Sequence, residues 1–240
     1  MRLMNFMIFQ RTELLIGSEN LAKLKNSHVI VFGIGGVGGF ATEALVRAGV
    51  GEISIVDFDS VDITNLNRQI ISLQSTVGKL KTSVMKERLL NINPELIVHE
   101  YPIKFSKENI DTFFKDKNYS YIVDAIDLVT CKLDLISIAK ERNIPIISSM
   151  GTGNKLNPTM LEVSDINKTS VCPLARVMRK ELKNRGIKKL KVVYSKEEPR
   201  KPQNLSGSRE KKVNVGSISF VPSTAGLIIA SEVIKDICNL

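Results

Sequence analysis

Three closely spaced glycines follow an apolar run near the N-terminus of this 240-residue chain. The run Val29–Phe32 is typical of a strand covered on both faces. Gly33, Gly35 and Gly38 then form the pattern GxGxxG at the start of a predicted helix, where backbone N–H groups can approach a phosphate. Asp57, at the end of the next predicted strand, can accept hydrogen bonds from ribose hydroxyls. The pattern indicates a nucleotide site, with NAD as the default and FAD and ATP still open.

Charged residues further along favour chemistry at phosphorus over hydride transfer. A dehydrogenase needs few cations beyond its pyrophosphate contact, whereas phosphoryl transfer is catalysed mainly by charges around the phosphate oxygens. Arg68 and Lys81 are suitable cations, and Asp127, after the predicted strand Tyr121–Ile126, is a suitable Mg²⁺ ligand. The alternatives are that the two cations are merely solvated and that Asp127 caps the helix after it.

Cysteine and histidine offer little further chemistry in this sequence. Cys131, Cys172 and Cys238 lie far apart without a CxxC pair, which disfavours a disulfide framework or a thiolate zinc site. The only histidines, His28 and His99, flank predicted strands, and we expect them to be packing residues rather than a metal site or acid–base groups. Basic neighbours could lower the pKa of the Cys172 thiol, but we favour a structural role for it.

Composition and charge define the class of protein and a class of partner. Hydrophobic residues make up 43% and charged residues 25% of the chain, which excludes disordered and fibrous classes. Residues 1–150 carry no net charge, so residues 151–240 carry the whole +9. The segment Arg176–Lys212 holds 14 basic and 4 acidic residues. This basic stretch predicts an anionic partner, with nucleic acid first, unless it is only a solvated helix face and a loop.

Strands and helices alternate for more than a hundred residues after the first strand. This order predicts an α/β fold with a doubly wound, Rossmann-like, mostly parallel sheet, N-terminal helices and a basic C-terminal extension. We expect one domain over 1–240, with a nucleotide-binding part over 1–150 and a substrate-binding part over 151–240. The last elements are predicted to be a mobile loop over Lys196–Val215, a strand over Ser217–Val221 and a helix over Ala225–Ile237.

The N-terminus and the hydropathy pattern bear on the compartment. The first apolar stretch is interrupted by Asn5 and stopped by Gln10 and Arg11, too early for a signal peptide. No run approaches the roughly 20 apolar residues of a membrane span. We therefore expect a cytoplasmic protein with no obligatory membrane partner.

Several ordered motifs resemble the nucleotide site of the ubiquitin-activating-enzyme superfamily, which includes bacterial enzymes that adenylate the C-termini of sulfur-carrier proteins. They are GIGGVGG, VDFDSVDITNLNRQ, VGKLK and VDAID. The resemblance implies ATP with Mg²⁺ as the cofactors, a ribose held by Asp57, phosphates contacted by Asn65, Arg68 and Lys81, and Mg²⁺ bound by Asp127. The expected nucleotide-binding residues are Gly33, Gly35, Gly36, Gly38, Asp57, Asp59, Asn65, Arg68, Lys81 and Asp127.

The resemblance also implies a homodimer. Arg11, in the sequence Phe9-Gln10-Arg11, resembles the arginine that reaches into the neighbouring subunit's site. The expected catalytic residues are therefore Arg11, Arg68, Lys81 and Asp127. Without the family, Arg11 would be read as an ordinary surface arginine on an amphipathic helix.

Two features point to one branch of the superfamily. Carrier-activating members usually show Asp-Asn at the magnesium position and often a CxxC zinc pair, and this chain has neither. Lys132 after VDAID, the sequences Asn157-Pro158-Thr159 and Lys168-Thr169, and Pro173-Leu174-Ala175 before a basic helix resemble the dehydratases that cyclise N6-threonylcarbamoyladenosine beside the anticodon of tRNA. A tRNA substrate also accounts for the uneven charge.

The implied reaction needs no base or nucleophile from the protein. The threonyl carboxylate is ionised at neutral pH and can attack ATP, after which the nucleoside's own carbamoyl group closes the ring in an intramolecular step. The residues do not decide between AMP and ADP as product, and they identify no sulfurtransferase partner. The alternatives are adenylation of a ubiquitin-like sulfur carrier and, less favoured, a nucleotide-binding scaffold or dehydrogenase.

Overall fold

The computed structural model describes residues 7–202 and 215–240. Seven strands form one sheet in the order β3-β2-β1-β4-β5-β7-β6, in which every neighbouring pair is parallel except β6 and β7. The strands are β1 His28–Phe32, β2 Glu52–Val56, β3 Ile97–Tyr101, β4 Tyr121–Asp124, β5 Ile146–Ser149, β6 Leu161–Asp165 and β7 Lys191–Ser195. The predicted doubly wound, mostly parallel α/β fold is confirmed.

Eight helices connect and cover these strands. They are α1 Gln10–Ile16, α2 Ser18–Lys25, α3 Gly38–Ala48, α4 Lys81–Ile92, α5 Ile110–Phe114, α6 Val129–Glu141, α7 Pro173–Asn184 and α8 Phe220–Cys238 among the described residues. Gly17, with a positive φ of 83°, separates α1 from α2.

The central strands of the sheet are buried on both faces. Their residues are mostly apolar, and successive side chains point to opposite faces of the sheet. Val29 and Val31 of β1 face a core built with α3, α4 and α8. Ile30 and Phe32 of the same strand face a second core built with α5, α6 and α7. This explains why β1 is a continuous apolar run in the sequence.

The C-terminal helix α8 packs against α3, the helix that begins at the glycine loop. A Cβ on Gly226 would lie 2.3 Å from the Val37 carbonyl oxygen, so only glycine permits this close approach. Val221, Ala225 and Ile229 are buried along one stripe of α8 at four-residue spacing. The predicted strand Ser217–Val221 is wrong, because Val221 belongs to this helical stripe.

The first turn of α8 also tolerates the proline at position 222. Pro222 is the third residue of the helix, where a missing N–H removes no intrahelical hydrogen bond. The helix therefore starts five residues before the predicted Ala225 and ends at Cys238, one residue after the predicted Ile237.

Much of the predicted mobile loop Lys196–Val215 lies outside the described residues. Its described beginning, Lys196–Pro202, has no regular secondary structure but is held in place. The Glu197 carboxylate accepts hydrogen bonds from the backbone N–H groups of Leu156 (3.0 Å) and Asn157 (2.8 Å). In the two described ranges, no helix combines the length and the apolar character needed to cross a bilayer.

Candidate functional site

The loop between β1 and α3 has room for glycine alone at two positions. Gly33 has a φ of 89°, and a Cβ there would lie 2.6 Å from the Ala125 carbonyl oxygen. A Cβ on Gly38 would lie 1.7 Å from the Gly33 carbonyl oxygen. A Cβ on Gly35 would have the Gln69 side-chain nitrogen, 3.8 Å away, as its nearest described neighbour, so this stretch of backbone faces open space. The loop therefore has the close packing and the accessible backbone that phosphate binding requires.

A cavity of about 670 Å³ opens in front of this loop, within the roughly 300–1,000 Å³ of small-molecule sites. It lies beyond the carboxyl ends of β1, β2 and β4, where open α/β sheets bind ligands. Nine of the ten expected nucleotide-binding residues line it, Gly38 being buried behind the loop: Gly33, Gly35, Gly36, Asp57, Asp59, Asn65, Arg68, Lys81 and Asp127.

Asp57 is fixed at the entrance to the glycine loop. Its carboxylate accepts hydrogen bonds from the backbone N–H groups of Ile34 (2.7 Å) and Asp59 (2.9 Å). The Lys81 ammonium donates to the Asp59 carboxylate at 2.8 Å and lies 4.0 Å from that of Asp57. Burial raises the pKa of the Asp57 carboxyl, while Lys81 and the two N–H groups act in the opposite direction. The site thus holds a carboxylate against a buried cation, beside the glycine loop.

Arg68 lies over the glycine loop, as the sequence predicts of a phosphate contact. Its guanidinium donates to the Thr64 carbonyl oxygen and to the Asn67 side-chain oxygen, both at 2.9 Å. A Cβ on Gly36 would lie 3.4 Å from the Cγ of Arg68. Asn65 is buried one turn earlier, in the 3-10 helix Ile63–Asn65. This turn places a planar cation and an amide at the same wall of the cavity.

Asp127 is exposed to the cavity, three residues after β4 ends. It does not cap the helix that follows, because α6 has Leu128 at its N-cap position and no side-chain cap. The Asp127 carboxylate therefore lines the cavity without a capping role, and its contact with Mg²⁺ stays a prediction.

A buried ion pair holds the loop that carries Asp127. Asp124 and Lys132 have no exposed side-chain surface, and their charged groups lie 3.0 Å apart. The Asp124 carboxylate also accepts from the Ser148 hydroxyl (2.6 Å) and the Ile126 N–H (3.1 Å), and Lys132 donates to the Ile126 carbonyl oxygen (3.0 Å). Both backbone polar groups of Ile126 are thus tied to this pair, which fixes the residue next to Asp127.

Sequence reasoning missed several residues of the cavity wall. They come from the segments after β3 and β5 and from the region before and at the start of α8: Ile103–Phe105, Ser149–Gly153, Ser217 and Pro222. The rule that ligands bind at the carboxyl ends of parallel strands could have found the first two. Gln69 also lines the cavity, and within the described residues its buried side-chain oxygen has no hydrogen-bond partner.

The three cysteines are free and buried. Cys172 packs beside Gly151, where a Cβ added to the glycine would lie 3.7 Å from the Cys172 sulfur, and Cys238 lies at the end of α8. Cys131 donates to the Phe105 carbonyl oxygen and lines the apolar part of the cavity.

The basic stretch of the sequence places several cations in solvent. Arg176, Lys180 and Lys183 of α7 are exposed, as are Lys188 and Lys189 after it. Lys191 is different, because its ammonium is paired with Asp236 (2.7 Å) and Glu232 (3.3 Å) of α8. The exposed five form a candidate anion-binding surface, hereafter the basic face.

Arg11 lies on the short helix α1 and is exposed. It is absent from the described residues that line the cavity. The structure of one chain therefore does not bring Arg11 to the nucleotide site. The same helix exposes 82% of Leu14 and 85% of Leu15.

Comparisons with known proteins agree with this geometry. The model of the ThiF family matches residues 9–240. A tRNA threonylcarbamoyladenosine dehydratase of Bacillus subtilis is 45% identical, with 95% of this chain and 94% of that protein covered. The Escherichia coli tRNA N6-threonylcarbamoyladenosine dehydratase TcdA in complex with ATP is 35% identical with a TM-score of 0.88, covering 96% of this chain and 93% of that one.

The same Escherichia coli protein was also solved in complex with AMP, at 36% identity and a TM-score of 0.88, with 96% of this chain and 94% of that one covered. Similarity of this extent, along nearly the whole of both chains, exceeds a likeness of fold. The chain belongs to the ThiF family, in its group of tRNA threonylcarbamoyladenosine dehydratases.

Proposed function

We propose that this protein catalyses the ATP-dependent dehydration of N6-threonylcarbamoyladenosine, next to the anticodon of tRNA, to its cyclic form. The observation that carries the proposal is the cavity lined by the glycine loop, Asp57, Arg68 and Asp127, in a chain that matches dehydratases along its length. We class the enzyme with the ligases, since cleavage of ATP drives closure of the new ring.

The first step activates the threonyl carboxylate. A carboxylate oxygen attacks the α-phosphorus of ATP, the bond to the β-phosphate oxygen breaks, and pyrophosphate leaves. We choose this phosphorus because the related Escherichia coli enzyme was solved with AMP. In the second step the carbamoyl group of the same nucleoside attacks the acyl carbon, the bond from this carbon to the oxygen that had attacked phosphorus breaks, AMP leaves with that oxygen, and the carbamoyl group loses a proton. The nucleoside has then lost the elements of one water molecule.

The cavity residues have complementary roles in this scheme. Asp57 accepts hydrogen bonds from the ribose hydroxyls, as its place beside the glycine loop supports. The N–H groups around Gly35, with Asn65, Arg68 and Lys81, bind the phosphates. Asp59 keeps the Lys81 ammonium in position through their 2.8 Å contact. Charge placed around the phosphate in this way is the main source of catalysis at phosphorus.

Asp127 is the residue that we propose to bind Mg²⁺. Its exposed carboxylate in a phosphate-binding cavity fits the ion, which commonly takes one or two carboxylates together with phosphate oxygens. When bound, the ion would neutralise developing charge on the phosphates. Asp127→Asn is therefore expected to raise the Mg²⁺ concentration for half-maximal turnover by about tenfold or more. An unchanged Mg²⁺ titration would remove Asp127 from this role.

The proposed activity is tested on the purified protein with Mg-ATP and threonylcarbamoylated tRNA. Gentle digestion and mass spectrometry of the nucleosides are expected to show the loss of one water, with pyrophosphate released in equal amount. Pyrophosphate exchange that depends on a carrier protein with a Gly-Gly end, without any change in the tRNA, would instead identify a carrier-activating enzyme.

The basic face is the surface that we propose to bind tRNA. Its exposed cations lie on α7, whose second residue Leu174 lines the cavity, and in the segment that follows the other end of this helix. Phosphate contacts supply most of the affinity of such surfaces and make it dependent on salt. Lys191 is left out, because its contacts with Asp236 and Glu232 tie β7 to α8.

Replacing Lys188 and Lys189 together with alanine is expected to weaken tRNA binding and to flatten its salt dependence. The slope of log association constant against log salt should fall in magnitude by about 1.5, since each lost phosphate contact removes about 0.7–0.9. Filter binding or fluorescence anisotropy over a salt series measures this. The matched control is Lys23→Ala with Lys25→Ala on α2, for which no change is expected.

We propose a homodimer in which Arg11 acts in the partner's site. The exposed Leu14 and Leu15 on the same helix support an interface there, since apolar side chains grouped on a surface mark contact sites. A two-fold axis would give each subunit the other's arginine. Leu15→Glu is expected to convert the dimer to a monomer in analytical ultracentrifugation.

Mixing two inactive variants tests the crossing of Arg11 directly. Arg11→Ala and Arg68→Ala each damage every site of their own dimer. A heterodimer of the two variants has one intact site, so an equal mixture should recover about one quarter of wild-type activity. No recovery after verified subunit exchange would show that Arg11 does not act across an interface.

We propose that the reaction takes place in the cytoplasm, where tRNA and ATP are available. The three unpaired cysteines support a reducing compartment.

A further inference from the structure

A second cluster of chemically versatile side chains lies at the amino edge of the sheet. His28 opens β1, Glu52 opens β2 opposite it, and His99 lies in β3 in register with Ser54. The Glu52 Oε1 atom is 3.3 Å from His28 Nδ1 and 2.7 Å from His99 Nε2. Three adjacent parallel strands thus bring two imidazoles and a carboxylate together, with their three ligand atoms within 4.8 Å of one another.

The donor set suits one kind of ion. Two imidazole nitrogens and a carboxylate oxygen are ligands of zinc and its first-row neighbours, whereas Mg²⁺ and Ca²⁺ prefer oxygen alone. Tetrahedral bonds of about 2.0–2.1 Å place ligand atoms about 3.3 Å apart. The Glu52–His28 contact has this spacing, the Glu52–His99 contact is shorter at 2.7 Å, and all three atoms lie within 4.8 Å of one another. His28 Nε2 lies 2.9 Å from the Ser54 hydroxyl. An outer contact of this kind orients a metal-binding imidazole, because it fixes which ring nitrogen carries the proton.

Burial and charge around the cluster are compatible with a cation. Burial lowers the pKa of His28 to about 4, with Glu52 acting in the opposite direction and His99 and Lys117 in the same one. At neutral pH the ring is uncharged and has a lone pair to offer. The side chains of Glu52 and His99 are each about one-third exposed, which gives an ion a path in. Lys117 is the charge that opposes binding.

We propose that His28 Nδ1, Glu52 Oε1 and His99 Nε2 form a zinc-binding site that joins the amino ends of β1, β2 and β3, with water as the fourth ligand. Gly33 lies five residue steps along the strand from His28, a distance of about 16 Å at roughly 3.3 Å per residue. The site therefore lies at the opposite edge of the sheet from the nucleotide cavity, and it is independent of the proposed function.

The chain offers a direct readout, because His28 and His99 are its only histidines. The full-length protein, free of any histidine tag, is labelled with ¹⁵N and titrated with ZnCl₂ alone while the two imidazole spin systems are followed by NMR. Stoichiometric Zn²⁺ is expected to shift Nδ1 of His28 and Nε2 of His99. Unshifted ring nitrogens at saturating Zn²⁺ would overturn the proposal, leaving a hydrogen bond between Glu52 and the histidines.

A pair of glutamate variants separates ligation from chance binding. Glu52→Gln is expected to weaken Zn²⁺ binding by about tenfold or more and to remove the rise in Tm that Zn²⁺ causes. Glu100→Gln, next to His99 in β3 and paired with Lys86, is the matched control and should bind Zn²⁺ as wild type does. Co²⁺ replaces Zn²⁺ in a parallel titration, where strong thiolate charge-transfer absorption would assign the ion to cysteine instead and contradict the site. Equal binding by both variants would also contradict it.

Discussion

Replacing Arg68 with alanine is expected to slow the ATP-dependent dehydration by about 10²–10³-fold. Arg68 packs against the glycine loop through its Cγ and lines the cavity that would hold the phosphates of a bound nucleotide. Its guanidinium contacts with described residues, to Thr64 and Asn67, are local and close to solvent. Their loss costs the fold little, so the whole defect should appear in turnover. Single-turnover kinetics with saturating ATP and modified tRNA measures it.

The matched control for this variant is Arg47→Ala. Arg47 lies at the far end of α3, the helix that begins at the glycine loop, and its half-exposed side chain pairs with Glu43. Glu43 keeps its second partner, Arg88, so the control should alter neither stability nor rate by a measurable amount. If Arg68→Ala retained wild-type turnover, the assignment of the cavity as the reaction site would fail with it.

The elements around Arg68 are predictable from sequence because their signals are local. The glycine pattern, the buried strand before it and Asp57 at the end of the next strand lie within thirty residues of one another. Each carries a backbone requirement that few other residues meet, such as the positive φ of Gly33. The structure brings Gly33, Gly35 and Asp57 to the wall of one cavity, together with Phe32 at the end of that strand.

The elements at the C-terminus are less predictable because two patterns overlap there. The sequence Ser-Ile-Ser-Phe-Val alternates polar and apolar residues and favours a strand. Val221 is also the first member of the four-residue stripe that continues through Ala225 and Ile229. Packing of this stripe on α3 stabilises the helix, because tertiary contacts often outweigh local sequence preference.

Contacts between distant segments account for what the sequence could not predict. From the sequence alone, Lys191 is one more cation of a basic stretch, whereas in the structure α8 places Asp236 and Glu232 beside it. His28 and His99 read as packing residues until parallel pairing of β1, β2 and β3 places Glu52 between them. In both cases the partner lies dozens of residues away, and only the packing of α8 on the sheet or the order of the strands identifies it.

Replacing Lys132 with methionine is expected to destabilise the protein by about 3–5 kcal/mol. Asp124 and Lys132 are both fully buried, so the variant leaves a buried carboxylate whose strongest partner is gone. The remaining contacts of Asp124, from Ser148 and the Ile126 N–H, do not neutralise its charge. Urea unfolding followed by circular dichroism measures the loss in the free energy of unfolding.

A second variant distinguishes the unpaired charge from simple loss of packing. Adding Asp124→Asn to Lys132→Met removes the carboxylate, so most of the lost stability should return. Lys235→Met breaks the exposed pair with Glu232 on α8 and should cost less than about 1 kcal/mol. If the double variant were as unstable as Lys132→Met, the ion pair would not be the cause.

The same double variant links the buried pair to catalysis. Lys132 donates to the Ile126 carbonyl oxygen, so its loss frees the backbone next to Asp127 even where the fold has been restored. We therefore expect the double variant to regain stability but not the Mg²⁺ dependence of turnover. A recovery of both would mean that the pair only stabilises the core, since a displaced Asp127 could not bind Mg²⁺ as before. If the free energy of unfolding recovers and the Mg²⁺ dependence of turnover does not, Lys132 is a residue that positions Asp127.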